Sequence, residues 1–334
     1  MTLHLHGLGH FHPENQITNG FLEGLDIGTS DAWIVERVGI RTRRTVLPLD
    51  YIRETRNHDA RAAREASLHT DAEMGARAAE MAISRAGVAR EDIGLVVAGS
   101  SAPDTVSPAE ACNIACALGL EVLAFDVHSA CTSFLAILYM LAIARREELP
   151  RFVLVVAVEG MTRTADYSDR STAVLFGDAA VAAVVSTRAP GRAEIVGTHL
   201  DSSPAGSGKV TIPRAGHFQQ EGRTVQTFAI HKTVRGFERL WNDFHAGERA
   251  FHFVGHQANL RMLESVCRQC EIPPERHHSN VERFGNTAAA GAPSVISMAW
   301  DQWQGGDDVA VVGVGAGLTW GSTLVRFNSG GGRA

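Results

Sequence analysis

Seven largely apolar runs mark the chain, at 93–99, 122–127, 152–158, 179–185, 251–255, 309–315 and 322–327. Runs this short that do not alternate with polar residues predict strands buried on both faces. Between them, 71–86, 108–118, 132–147, 257–270 and 287–303 have helical spacing or length, so the order of elements predicts an α/β protein with sheets covered by helices. From Thr132 to Ile143 the sequence is apolar on nearly every face, which puts that helix in the middle of the molecule. The stretch 186–222 is rich in Gly, Pro, Ser and polar residues and divides the chain unevenly. A boundary near 190 gives two parts, 1–190 and 191–334. Each part offers a strand, a turn with a polar candidate and an apolar or alanine-rich helix: AFDVHSACTSF in the first, ERFGNTAAAGAPSV in the second. Residues 47–70, highly charged, predict a surface excursion or flap.

Composition narrows the function. The 334 residues are 45% hydrophobic and 20% charged with net charge −6, which suits a globular protein with a large core and favours neither nucleic acid nor another polyanion as partner. The N-terminus lacks the basic and apolar regions of a secretory signal, so the cytoplasm is expected. No uncharged apolar stretch is long enough to span a membrane. Five cysteines, an odd number, do not form a disulfide framework. CRQC at 267–270 has no second pair, and Cys112 and Cys116 fall at helical spacing, so no metal site is expected. The glycine run GVGAGLTWG lacks the third glycine of a dinucleotide fingerprint.

Three residues stand at turns beside predicted elements: Cys131, His256 and Asn286. A cysteine at a helix start gains from the helix dipole, which lowers a thiol's pKa and offers N–H groups to an oxyanion. Free cysteine is also among the most buried residue types, so an inert core role stays open. His256 is one of 15 histidines, and Asn286 after Gly285 could cap the helix that follows. Together the three make a coherent set. A thiolate accepts an acyl group from a thioester, and an imidazole and an amide can both donate to a second thioester's carbonyl oxygen, stabilising an enolate.

The runs ACTSF at 130–134, HQANLR at 256–261 and GNTAAAGAP at 285–293 resemble the β-ketoacyl-ACP synthase III group of the thiolase superfamily. TSDAWIVERVGIRTRR at 29–44, DRSTAVLFGDAA at 169–180 and GAGLTWGSTLVRF at 315–327 extend the resemblance over nearly the whole chain. It implies a five-layered αβαβα thiolase fold of two pseudo-symmetric halves, a homodimer, and acyl-CoA and acyl carrier protein as partners, with no metal or redox cofactor. It makes Cys131 the acyl acceptor and His256 and Asn286 the pair that polarises the extender thioester. The Cys131 and Ala316 N–H groups would form the oxyanion hole. Thr29, Trp33, Arg37, Arg170 and Asn259 would hold coenzyme A or its pantetheine arm, and Arg261 would meet the carrier protein. Departures from the family pattern lie at residues 45–70, which look longer, and at Ser107, Val314 and Ala316. Ser107 and Val314 stand where the resemblance places bulkier groups around a short acyl pocket. They suggest a specialised relative that loads a medium or long acyl or β-ketoacyl thioester, as in dialkylresorcinol or α-pyrone pathways, in fatty-acid or secondary-metabolite biosynthesis. There deprotonation by His256 can replace decarboxylation. The alternatives are a housekeeping primer synthase using acetyl-CoA and malonyl-ACP, an acyltransferase to oxygen or nitrogen, and a non-catalytic subunit of a heterodimer. A degradative thiolase would need a second cysteine within 313–321, where there is none.

Overall fold

A computed structural model describes residues 2–214, 216–245 and 247–328. The strands of the central sheet are β1 (Leu3–Phe11), β2 (Ile93–Gly99), β3 (Leu123–Asp126), β4 (Phe152–Glu159), β5 (Ala179–Ser186), β6 (Ala193–Ser202), β7 (Ala250–Gly255), β8 (Asp307–Gly315) and β9 (Thr319–Phe327). They form one hydrogen-bonded sheet in the order β7-β8-β9-β6-β1-β5-β4-β2-β3. The order holds two parallel series: β1-β5-β4-β2 before residue 187, and β6-β9-β8-β7 after residue 192. In both, the last two strands pair parallel and the others antiparallel. The series are joined where β6 pairs with β1, Leu3 opposite Ile195. Only the first series gains an extra edge strand, β3, parallel to β2.

The helices that matter for the site are α1 (Asp31–Val38), α2 (Asp71–Ala86), α3 (Glu110–Ala117), α4 (Ser133–Ile143), α5 (Gly222–Phe244), α6 (Leu260–Gln269) and α7 (Ala288–Met298). Helix α2 packs on β1, β5 and β4, and α3 on β2 and β3; α5 packs on β8 and β9, with α6 beside it. Helices α4 and α7 touch strands of both series and each other. The sheet therefore folds around them, giving five layers: α2 and α3, the first series, α4 and α7, the second series, α5 and α6. Burial follows. Residues Ser133–Leu138 of α4 and Ala288–Ser297 of α7 are buried without a break, as a helix between two sheets must be.

Four expectations change. The helix predicted over 132–147 ends at Ile143, because Ala144 turns extended before the charged Arg145–Glu148. Strands β1 and β6 and the long helix α5 were not predicted. Residues 47–70 are not a free flap: they contain helices 49–55 and 62–66, and Leu47, Ile52, Asn57 and Ala63 are fully buried. Asn57 donates to the carbonyls of Arg163 and Ala165 at 2.9 and 2.8 Å, and the N–H of Leu68 to Val46 at 2.8 Å. The stretch read as a divider also does more than connect: Val210, Phe218, Gln220 and Gly222 line the cavity described next.

Candidate active site

Cys131 lies in a single 3-10 turn, Ala130–Thr132, between the end of β3 and the first residue of α4. Ala130 holds a left-handed φ of 46°, a conformation that strains a residue with a Cβ. The turn pins it: Ser133 Oγ donates to the Ala130 carbonyl at 2.7 Å and accepts from the Ser129 N–H at 2.9 Å. The β8–β9 loop closes over this turn. Thr319 Oγ1 donates to the Ala316 carbonyl at 3.1 Å and lies 2.9 Å from Thr132 Oγ1, so one hydroxyl pair ties the loop to the residue after Cys131. The approach is close enough that a Cβ on Gly315 would come within 3.1 Å of the Cys131 nitrogen.

The thiol is not the ready thiolate that a helix start alone suggests. Burial, followed by the charge of Glu159, pushes it up to about 12; the Ser101 hydroxyl and the N–H groups of Cys131 and Ala316 act in the opposite direction. Although Cys131 as a residue is partly exposed, its sulfur is enclosed by protein. Low dielectric outweighs the helix end here. Those two N–H groups are the pair assigned to an oxyanion.

His256 follows β7 and is 5% exposed. Burial alone lowers its pKa to about 4, so at neutral pH it is an uncharged imidazole that can donate one hydrogen bond. It is a weak base. Gln257, fully buried, fixes the turn: it donates to the Gly255 carbonyl at 2.6 Å and accepts from the Asn280 and Val281 N–H groups at 2.9 and 3.2 Å. This draws the 280s segment, and with it Asn286, toward His256. The Asn286 backbone pairs with Leu175 and Gly177 at 2.8 and 3.1 Å. Its side-chain oxygen accepts from the Ala288 N–H at 3.0 Å, which leaves the amide nitrogen as its outward donor. Gly285 sits at φ 67°, and a Cβ there would meet the Leu175 carbonyl at 2.8 Å, so the turn that presents Asn286 requires glycine.

One cavity of about 420 Å³ brings Cys131, His256, Asn286, Asn259, Val314 and Ala316 together with Trp33, Arg37 and Arg170. At its mouth the Arg37 and Arg170 guanidiniums lie 4.8 and 5.0 Å from the Trp33 ring centre, and Arg170 also donates to the Gly28 carbonyl at 2.6 Å. An aromatic plate with two exposed cations suits a nucleotide phosphate. Asn259 spends its side-chain oxygen capping α6, accepting from the Met262 N–H at 2.7 Å, and so keeps its amide nitrogen for a ligand.

Three expected site residues lie outside this cavity. Thr29 is not one of its walls; it follows Gly28, whose carbonyl Arg170 holds, and its buried hydroxyl has no partner among the described residues. Arg261 is occupied as a structural clamp: it donates to the carbonyls of Glu36 and Val35, the end of α1, at 3.2 and 2.8 Å and pairs with Glu264. Ser107 is exposed and is not a wall of this chain's cavity. Elsewhere the carboxylates of Asp71, Asp104 and Glu110 converge, none lining the cavity. Arg163 already enters that cluster, pairing with Asp71 at 2.6 Å and with Asp104.

Two features were missed from sequence. The bonded pair Ser101 and Glu159 acts on the thiol's pKa, and Gln257 locks the histidine turn. The sequence held a signal for Glu159, a lone charge ending an otherwise apolar strand.

Comparison with known proteins gives the family. Models of 3-oxoacyl-[acyl-carrier-protein (ACP)] synthase III and of its C-terminal part match residues 125–204 and 249–327. The β-ketoacyl-[acyl-carrier-protein] synthases III of Aliarcobacter butzleri and Oceanobacillus iheyensis are 32% and 33% identical, over 96% and 98% of this chain and 96% and 99% of theirs. The crystal structure of 3-oxoacyl-[acyl-carrier-protein] synthase III from Aquifex aeolicus superposes with TM-score 0.85 at 28% identity, covering 97% of this chain and 100% of that one. The priming β-ketosynthase of the R1128 polyketide pathway gives 0.82 at 28% identity, over 98% and 96%.

Proposed function

Because the chain belongs to the β-ketoacyl-ACP synthase III family, we propose a role for each residue of its cavity in that family's reaction. The protein is a condensing acyltransferase of thiolase fold, forming a carbon–carbon bond by Claisen-type condensation of thioesters in fatty-acid or polyketide biosynthesis. What carries the assignment of roles is the convergence of Cys131, His256 and Asn286 on one cavity. The Cys131 sulfur attacks the first thioester, and the Cys131 and Ala316 N–H groups receive the oxyanion. The free thiol leaves, and the second thioester enters along Trp33, Arg37, Arg170 and Asn259. Neutral His256 and the Asn286 amide nitrogen then donate to its carbonyl oxygen. Their donation holds the enolate while its carbon attacks the acyl group on Cys131. A histidine depressed to about 4 fits a hydrogen-bond donor better than a base, which favours decarboxylation over proton removal as the source of the enolate.

Acyl-CoA and acyl carrier protein are the thioester donors in this scheme. Thr29 would join the nucleotide site through its unpartnered hydroxyl, and Arg261, half exposed beside the cavity mouth, would add charge to carrier docking. Two copies would pair at the edge strand β3, where Leu123 is 66% exposed, in the cytoplasm; Ser107 would act on the acyl pocket only across such a pair. Among the described residues no helix is long and apolar enough to cross a membrane. Val314, in the cavity wall where the resemblance places an aromatic, supports an acyl group longer than acetyl.

The test is intact mass after incubation with acetyl-, hexanoyl- and decanoyl-CoA, followed by a malonyl or β-ketoacyl thioester. An acyl adduct that is lost in Cys131→Ala, and a product with a new carbon–carbon bond, are expected. Exclusive acetyl loading would end the longer-chain proposal, and an ester or amide product would end the condensation scheme.

A further inference from the structure

Asn57 is fully buried inside the charged stretch 47–70, to which no step above gives a part. It closes the helix 49–55, and both it and Arg56 hold a left-handed φ, 55° and 54°. Two such residues in a row need outside support, and Asn57 has it at every polar group. Its N–H donates to Thr55 Oγ1 at 3.0 Å, its Oδ1 accepts from the Tyr51 hydroxyl at 3.3 Å, and its amide nitrogen donates to the Arg163 and Ala165 carbonyls at 2.9 and 2.8 Å. The remaining group, the main-chain carbonyl, reaches a distant part of the chain: it accepts from His217 Nε2 at 2.6 Å.

Between Arg163 and Ala165, the Thr164 carbonyl accepts from the N–H of the next residue, Phe218, at 2.9 Å. The Asn57 turn thus builds a two-point seat, and consecutive residues of one hairpin sit on it. That hairpin pairs Val210–Thr211 with Gln219–Gln220, and Val210, Phe218 and Gln220 line the cavity. From its seat Phe218 packs edge-on against Phe176, with ring centres 4.7 Å apart. Phe176 lines the cavity too and bridges to Asn286, so one wall runs unbroken from the Asn57 turn to a member of the catalytic set.

We infer that His217 is a positioning residue for thioester binding: docked on Asn57, it holds the 210–220 hairpin in place as a wall of the cavity, and this gives the stretch 47–70 its function. This rests on the cavity being where a thioester binds. His217 is not itself a wall, so it acts through Phe218. The hairpin cannot hold itself. Two paired residues are far below what stays folded alone in water, and Pro213, Arg214, Gln219 and Gln220 are exposed. Lys209 and Glu221 close its base, by an ion pair at 3.0 Å and a main-chain hydrogen bond at 2.9 Å. Its tip is left to the bonds of His217 and Phe218 and to the Ile212 and Phe218 side chains, which pack on the core. A carbonyl only accepts, so the bond at Asn57 needs a donor at position 217. Removing it from a hairpin this slight leaves the wall mostly unseated, and a binding-competent state that is less populated weakens binding in proportion.

His217→Leu keeps a side chain there without a donor, and His217→Gln keeps a donor of similar reach. Two readouts are taken on the full chain, beside a melting curve: the rate of trypsin cleavage after Arg214, exposed in the hairpin, and the kcat and KM of condensation. Cleavage there needs the hairpin to leave its seat. In His217→Leu both the cleavage rate and the thioester KM should rise about tenfold, the worth of one hydrogen bond. The melting temperature and kcat should stay at their wild-type values, and His217→Gln should recover most of both losses. Wild-type cleavage in His217→Leu overturns the seat, and faster cleavage at a wild-type KM overturns the wall. A fall in kcat at unchanged KM, or equal losses in His217→Leu and His217→Gln, also overturns the proposal. A wild type that neither binds nor turns over a thioester would instead sink the thioester cavity, and the cleavage rates would still decide whether His217 seats the hairpin.

Discussion

Adding one methyl group at Gly315 should separate catalysis from folding. A Cβ there would sit 3.1 Å from the Cys131 nitrogen, 3.3 Å from its Cβ and 3.4 Å from the Thr132 nitrogen. These contacts are tight enough to push the β8–β9 loop back by a few tenths of an ångström. Gly315 is not among the left-handed residues, so alanine brings no backbone penalty, and stability should change by less than about 1 kcal/mol. The loop carries the Ala316 N–H, one of two donors to the oxyanion. Losing such a donor outright costs about 3–4 kcal/mol, and lengthening it should cost roughly half, on the order of 10- to 30-fold in rate. The assay is single-turnover acylation of Cys131 followed by mass, beside a melting curve. Gly208→Ala, with nothing within 4 Å, is the control and should be silent in both. Acylation by Gly315→Ala at the wild-type rate would refute the placement of the donor. A large drop in melting temperature would mean the loop is structural instead.

Two further outcomes test other parts of the site and fold. Asn286→Asp keeps the acceptor for the Ala288 N–H but replaces the outward donor with a carboxylate oxygen. Acyl loading should survive while condensation from preformed acyl-enzyme falls about 10²–10³-fold, measured as single-turnover release; an unchanged release rate would remove Asn286 from the enolate site. His12, stacked on Phe284 at 3.8 Å, is held down to about 3 by burial first, then by His10, Arg44 and Arg283. Its folded pKa lies below the unfolded 6.5. Its contribution is therefore complete above pH 6.5 and is lost as pH falls, by roughly 3 kcal/mol between pH 6.5 and 4. His12→Phe should flatten the fall in unfolding free energy over that window, and an unchanged slope would show that His12 is not buried neutral.

What the sequence disclosed depended on how much of each element faces the core. Helix α2 was legible to the residue, because Thr70 and Glu73 form a capping box at its start and its alanines repeat on one buried face. Helix α5 was missed because of its 23 residues only Ala229, Thr233, Phe237 and Leu240 are buried, a stripe too narrow to stand out among charges. Strand β1 was hidden for a different reason. It alternates Leu3, His4, Leu5, His6, but His6 and His10 are satisfied by tertiary partners no local pattern announces, the Ala189 carbonyl at 3.1 Å and Ser297 at 2.8 Å. The catalytic set was readable as motifs, since each member sits in its own turn. Ser101, Glu159 and Gln257 were not, because their role comes from partners 58, 130 and 23 residues away.

The two series of strands explain why the chemistry sits where it does. Each feeds a central helix through a turn holding an alanine at left-handed φ, 46° at Ala130 and 44° at Ala288. Folding the sheet around α4 and α7 brings both helix starts to one place, with N–H groups that no helical carbonyl can satisfy. The halves use those groups differently. At α4, the Cys131 N–H lies in the nucleophile's own turn and is the group this scheme gives to charge that forms during reaction. At α7, the Ala289 N–H binds the fixed carboxylate of Glu159, and the Ala288 N–H orients Asn286. A helix start favours negative charge by about 0.3–1 kcal/mol, and more when buried. One duplicated device thus faces the substrate in the first half and holds the protein's own carboxylate in the second. If so, Glu159→Gln should leave the Asn286 turn intact and the rate of condensation from preformed acyl-enzyme unchanged, and removing the charge that raises the thiol's pKa should change only the loading of Cys131, read as single-turnover acylation.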